Sequence, residues 1–289
     1  MGALKELYGR MIGAMGVEGL EIPVTAVKFF KKGDSIPAEV EKNHPPLSLT
    51  SCQATKQASL GDAVLLTVDN IGCIAAAITF GLVDQNQAEP MGGSRVYTDV
   101  MKGQSGLGEG FKPPSPKDFT DGTVYACKNA GRPEFALFGK DDVGRFKDVA
   151  TAKKAMADMM AIQPPSMKGV FFYSKDFNAN GLVPDVVVLS VRSVEMTRII
   201  QGYQFNTGKR VKASMGGLRA VNSDLIVRPY LTQEMNIAPY CLGARLLAEY
   251  QPDRMGMGMP FPVFQEVVQG MEASKGGFPF HLYPGAGDA

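Results

Sequence analysis

Residues 231–261 read LTQEMNIAPYCLGARLLAEYQPDRMGMGMPF. One cysteine, Cys241, follows Pro239 and Tyr240 and opens an apolar run, and the stretch closes on Met255-Gly256-Met257-Gly258-Met259-Pro260. The same order occurs upstream. Leu66-Thr67-Val68-Asp69-Asn70-Ile71-Gly72-Cys73 places Leu-Thr, Asn-Ile and Cys before an Ala-rich run, as do Leu231-Thr232, Asn236-Ile237 and Cys241. A cysteine met twice in one context is the main functional signal of the chain.

Working outward, the echo lengthens. Ser48–Ala54 aligns with Ser214–Ala220, which sets Leu218 opposite Cys52. An apolar strand and a helix precede each copy: TAVKFF with PAEVEK, and DVVVLSV with VEMTRII. The pattern predicts two similar lobes, residues 20–85 and 183–250, related by a pseudo-two-fold axis. Residues 88–182 would connect them inside one globular unit spanning residues 1–289. Chance matching in a chain rich in Leu, Ala and Gly is the competing explanation.

Periodicity and turn chemistry predict helices over 3–15, 37–42, 47–60, 73–80, 149–162, 194–203, 240–250 and 263–273. They predict strands over 24–30, 63–67, 123–127, 135–138, 169–173, 185–191 and 224–230. Asp185–Val191 is almost wholly apolar, which suits a central strand covered on both faces. The fold class is therefore α/β or α+β, with a mixed sheet and helices.

A chain of 289 residues, 45% hydrophobic, can bury a large core. Thirty basic against 29 acidic residues, without a Lys/Arg run, argue against nucleic acid and anionic membrane as partners. The sequence has no apolar run of the roughly 18 residues that a membrane span needs. Glu6 interrupts the first segment and breaks both the signal-peptide and the myristoylation patterns. The expectation is a cytoplasmic protein, with homo-oligomerisation open.

The chain has four cysteines, which in that compartment are free thiols or ligands rather than structural disulfides. Cys52, Cys73 and Cys241 fall at predicted helix starts. There the free N–H groups and partial positive charge favour a thiolate. A lone cysteine in such a helix is more often a small buried hydrophobe, and only the set of three points to chemistry. Asn70 and Asn236 are placed to donate hydrogen bonds to sulfur. Gly256 and Gly258 would let backbone approach a bound group while the methionines line an apolar pocket. The alternative is a turn that packs those methionines into the core.

With only two histidines, His44 and His281, the donors favour an iron–sulfur cluster (4Fe-4S) over zinc. Three cysteine ligands leave one iron open for a small organic substrate. Cys127 as a fourth would close the cluster for electron transfer to a partner. Zinc on three or four of the thiols is the alternative cofactor. The corresponding functions are redox or lyase/hydratase-type chemistry of anaerobic metabolism. A second reading is small-molecule or soft-metal binding and sensing without turnover. A third is a thiol nucleophile with His44 as its base.

Cys52-Gln53-Ala54, LTVDNIGC, PDVVVL, PYLTQEMNIAPYCLGARL, MGMGMPF and VVQGM together resemble the "domain of unknown function 169" family of prokaryotic proteins. The resemblance covers about residues 20–272 and is most specific over Tyr240–Met271. It implies that Cys52, Cys73 and Cys241 match the family's cysteines and that Cys127 lies outside the pattern. Family members often carry Cys-Pro-Gly where this chain has Cys73-Ile74-Ala75. The resemblance implies no reaction.

Overall fold

The computed structural model describes residues 3–82, 164, 166–178, 181–217 and 219–274. The expected strands at 123–127 and 135–138, the helix at 149–162, Cys127 and His281 lie outside the described residues. Six strands form one sheet: β1 (Thr25–Lys31), β2 (Ala63–Leu66), β3 (Met167–Ser174), β4 (Val186–Val191), β5 (Asn236–Pro239) and β6 (Met255–Pro260). Their order is β2-β3-β1-β4-β6-β5, and each described pair is antiparallel. Outward from the central β1–β4 pair the order reads the same on both sides, β3 then β2 and β6 then β5.

Helices cover both faces of the sheet: α1 (Ala3–Met15), α2 (Ala38–Glu41), α3 (Ser51–Ser59), α4 (Ile74–Thr79) and α5 (Ser193–Thr207). A π-helix (Ala220–Val227) runs directly into α6 (Arg228–Thr232), and α7 (Leu242–Leu247) and α8 (Phe261–Ala273) follow. The architecture is thus mixed α/β, in keeping with the alternation of helical and strand patterns in the sequence.

Strand periodicity divides the core. Ala26, Phe171, Val187, Leu189, Met257 and Met259 face the layer of α1, α5 and α8. Val27, Phe172, Val186, Val188 and Ala238 face the layer of α3, α4, the π-helix and α7. β4 is buried at all six positions, as its apolar sequence requires of a strand between two layers. In the first layer α5 and α8 touch backbone to backbone. A Cβ placed on Gly270 would lie 2.0 Å from Gly202 O.

Three segments depart from the sequence reading. The expected strand at 224–230 is the end of the π-helix and the start of α6. The strand of this region is β5, which carries the Asn-Ile of the echo. Met255–Pro260 is neither pocket lining nor a turn but β6, paired with β4 and β5. The reason is steric. Alternation sends Met257 and Met259 into one layer and leaves Gly256 and Gly258 as a flat face on the other. The π-helix lies on that face. A Cβ on Gly256 would meet Leu225 Cδ1 at 2.1 Å, and one on Gly258 would meet Leu225 O at 1.8 Å. An apolar run that must sit on bare backbone has no strand neighbours to bond, so it closes its hydrogen bonds within itself as a helix.

Among the described residues no helix is long and apolar enough to cross a membrane.

Candidate functional site

Thr50 caps α3. Its Oγ1 accepts from Gln53 N at 3.2 Å, while Gln53 Oε1 accepts from Thr50 N at 3.0 Å. This reciprocal box fixes the first turn and with it Cys52, the second helical residue. The segment before α3 is tied to the one before α4. Gly72 N donates to Leu49 O at 2.7 Å and Leu49 N to Asn70 O at 3.1 Å. Gly72 is needed there, because a Cβ would lie 3.1 Å from the Leu49 carbonyl carbon. Cys73 then precedes α4, and Ala77 N donates to its carbonyl at 2.9 Å.

Cys241 is the N-cap residue of α7, and Arg245 N donates to its carbonyl at 3.1 Å. α3 packs on α7 and on the π-helix, and α4 packs on the π-helix. The three cysteines therefore gather against one core, each partly exposed and none in a disulfide.

A side-chain hydrogen bond couples Cys52 and Cys241. That bond, then burial, then the charges of Cys241 and Cys73, push the Cys52 thiol well up. The same bond brings Cys241 down to about 5; burial opposes this, and the backbone amides of Ala244, Arg219 and Ala220 assist it. Two helix starts, those of α7 and of the π-helix, thus point amides at one sulfur.

Arg219, just before the π-helix, has a left-handed backbone at φ 60. Burial lowers its guanidinium to about 10, while attraction to Cys73 and Cys241 works the other way. Behind Cys52 the rings of Tyr240 and Tyr250 stack with centroids 3.9 Å apart, and Lys56 lies 5.2 Å over Tyr250. Burial raises both phenols, and the nearby Cys52 sulfur adds to it.

The structure brings together the three sulfurs that the sequence selects, but not the residues expected to support them. Asn70 accepts from Thr67 N at 2.8 Å and donates to Leu65 O at 3.0 Å. Asn236 accepts from Ser214 N at 2.8 Å and donates to Ser214 O and Asp224 O, both at 2.9 Å. Each asparagine locks the chain leading to a cysteine rather than bonding to its sulfur. Gly256 and Gly258 serve packing, since Leu225 takes the space beside them.

His44 turns to Asn70 and Glu41. A cleft of about 700 Å³, lined by Lys5, Tyr173, Asp176, Leu182 and Phe261 among others, belongs to the opposite face of the sheet. Among the described residues no group of three or more His, Cys, Asp or Glu side chains is arranged to hold a single metal ion.

The sequence reading passed over two features. The amides of Arg219 and Ala220 act on Cys241 from a helix that the apolar run disguised as a strand. The Arg219 side chain brings a buried positive charge to Cys73 and Cys241. Only Gly216-Gly217 ahead of it hinted at an unusual backbone.

Comparison with known proteins adds a family. The sequence model of DUF169, described as "Uncharacterised ArCR", matches residues 17–270. The chain belongs to the DUF169 family. The matched range includes all four cysteines, Cys52, Cys73, Cys127 and Cys241. No curated protein and no solved structure matches the chain.

Proposed function

We propose that Cys52, Cys73 and Cys241 are the protein ligands of an iron–sulfur cluster that serves redox or lyase/hydratase-type chemistry on a small organic substrate. The observation that carries this reading is the gathering of Cys52, Cys73 and Cys241 against one core, on helices that pack on one another or on the π-helix. Thiols from three distant parts of the chain are costly to assemble for packing alone. Like charges there would repel unless a cation joins them.

The surroundings fit a thiolate-bound cluster. Backbone amides face Cys241, and hydrogen bonds to ligand sulfur are a main control of cluster potential. Arg219 supplies a compensating positive charge without competing as a ligand. A cluster presents several irons, so its ligands do not have to converge on one point as they would for a lone ion. Three ligands leave one iron for substrate. With none of the three thiols left over, a fourth protein ligand would have to come from elsewhere, and Cys127 is the remaining cysteine. The near-symmetric sheet order supports, as part of the same proposal, an origin of the site by internal duplication.

The test is anaerobic purification followed by iron and sulfide analysis, a visible spectrum and electron paramagnetic resonance. A brown protein is expected, losing colour in Cys52→Ser, Cys73→Ser and Cys241→Ser but not in Cys127→Ser. A colourless wild-type protein that takes up no iron on reconstitution removes the proposal.

A further inference from the structure

We propose that Ser190, Tyr240 and Arg254 enclose a buried water, which ties the ends of three strands to the residue before Cys241. The inference goes beyond the cluster reading and does not depend on it. Ser190 pairs with Gly256 across β4 and β6, and Ala238 pairs with the same Gly256 across β5 and β6. Ser190 stands in that row, and Arg254 and Tyr240 lie two residues beyond Gly256 and Ala238 at the same corner of the sheet. Arg254 Nη1 donates to Ser190 O at 3.2 Å. Tyr240 packs in the layer that Val186 and Val188 face, and alternation turns Ser190 to the same side.

Three polar atoms of this corner, Arg254 Nε, Ser190 Oγ and Tyr240 Oη, are buried without a hydrogen-bond partner among the described residues. The residues that carry them are 1%, 3% and 4% exposed, so bulk water does not reach them. Ser190 is near enough to act on the Tyr240 phenol, but the two hydroxyls do not meet in a bond of normal geometry. Ser190 O and Glu21 hold the Arg254 guanidinium, and the stack on Tyr250, with centroids 3.9 Å apart, holds the Tyr240 ring. Neither can turn to another partner. A buried donor left unpaired costs folding free energy, and water is the smallest guest that satisfies it. The guest is neutral, because Arg254 already faces two carboxylates that would repel an anion: Glu21 in direct contact and Glu195 at 3.8 Å. A water accepts from Nε and exchanges bonds with both hydroxyls, the usual complement of a buried water. It joins β4 and β6 to Tyr240, whose carbonyl accepts from Arg245 Nε of α7 at 3.2 Å. The approach to Cys241 is thus held from the sheet and from α7.

Two experiments on the full chain decide this. A high-resolution crystal structure, with a second crystal soaked in bromide, looks for the guest directly. Urea unfolding of Ser190→Ala, Tyr240→Phe and the double variant reads it in solution. The sign is decisive there: removing a buried hydroxyl that has no partner stabilises the fold, whereas removing one bound to water destabilises it.

The expected density is one ordered peak within hydrogen-bond distance of Nε, Oγ and Oη, without an anomalous bromide signal. Each single variant should lower the folding equilibrium constant about fivefold. The double variant should cost less than the product of the two, because both lose the same water. A corner without a peak, bromide at the peak, or the two hydroxyls bonded directly to each other overturns the proposal. So does a single variant at least as stable as wild type, or a double variant that costs the full product.

Discussion

The start of the π-helix, with its preceding residue Arg219, presents two of the amides that face Cys241, and the helix rests on Gly256 and Gly258. Adding one methyl at either glycine tests that seating, and the two positions differ in what they strike. At Gly258 the new Cβ meets the Leu225 carbonyl oxygen at 1.8 Å, so backbone must retreat by about 1.6 Å to reach ordinary contact. At Gly256 the Cβ meets the tip of the Leu225 side chain at 2.1 Å.

Overpacking costs about 1–3 kcal/mol. The entropy gained by replacing glycine returns only about 0.4–1 kcal/mol. Gly258→Ala, at the upper end of that range, should therefore lose about 2–2.5 kcal/mol net, and Gly256→Ala about 1 kcal/mol. Leu225→Ala alone should cost about 2–5 kcal/mol. Combined with Gly256→Ala it should recover roughly 1 kcal/mol or more relative to additivity, because the clashing atoms are gone. Combined with Gly258→Ala it should recover nothing, because the carbonyl remains.

Urea unfolding followed by circular dichroism measures all five variants; the chain has no tryptophan for fluorescence. Equal rescue of both glycine variants, or a Gly258→Ala protein within about 0.5 kcal/mol of wild type, would refute the seating of the helix on β6.

Three further outcomes follow from the same geometry. Alkylation of Cys241 in the metal-free protein should rise with a midpoint at pH about 5, where its thiolate forms. Gly258→Ala should shift that midpoint upward, toward the ordinary thiol value of about 8.5. Burial, only partly offset by hydrogen bonds from Gly216 N and Ser223, raises Asp224 to about 6, above its unfolded value. Its contribution to stability is therefore complete below about pH 4 and is lost as pH rises to about 6. Asp224→Asn should flatten that window, a difference of at most about 3 kcal/mol, read from unfolding between pH 4 and 7. Gly270→Ala, which forces α8 off Gly202 on the opposite layer, should cost about 2 kcal/mol or more. It should leave the alkylation midpoint of Cys241 unchanged.

Periodicity alone was enough for α1, α3, β1, β4 and α8, because each buries a stripe or strand whose spacing is written locally. The three cysteines were also legible, through the repeated Leu-Thr, Asn-Ile and Cys order. What misled was composition whose partner is remote. Leu225–Val227 is as apolar as a strand, and Met255–Met259 alternates with glycine rather than with polar residues. Neither segment can be assigned without the other. The glycines of β6 make sense only with a helix lying on them, and the helix only with bare backbone beneath it.

Asn70 and Asn236 stand beside the cysteines in sequence, so the sequence suggested a bond to sulfur. Their side chains instead close the loops ahead of the cysteines, because the nearer unsatisfied groups are backbone. Sequence by itself singled out Cys52, Cys73 and Cys241 and placed them at helix starts. Tertiary structure decided that Cys52, Cys73 and Cys241 gather against one core, and that the Arg219 and Ala220 amides at the start of the π-helix face Cys241. Hydrogen-bond direction and charge distance exist only once elements remote along the chain are packed together.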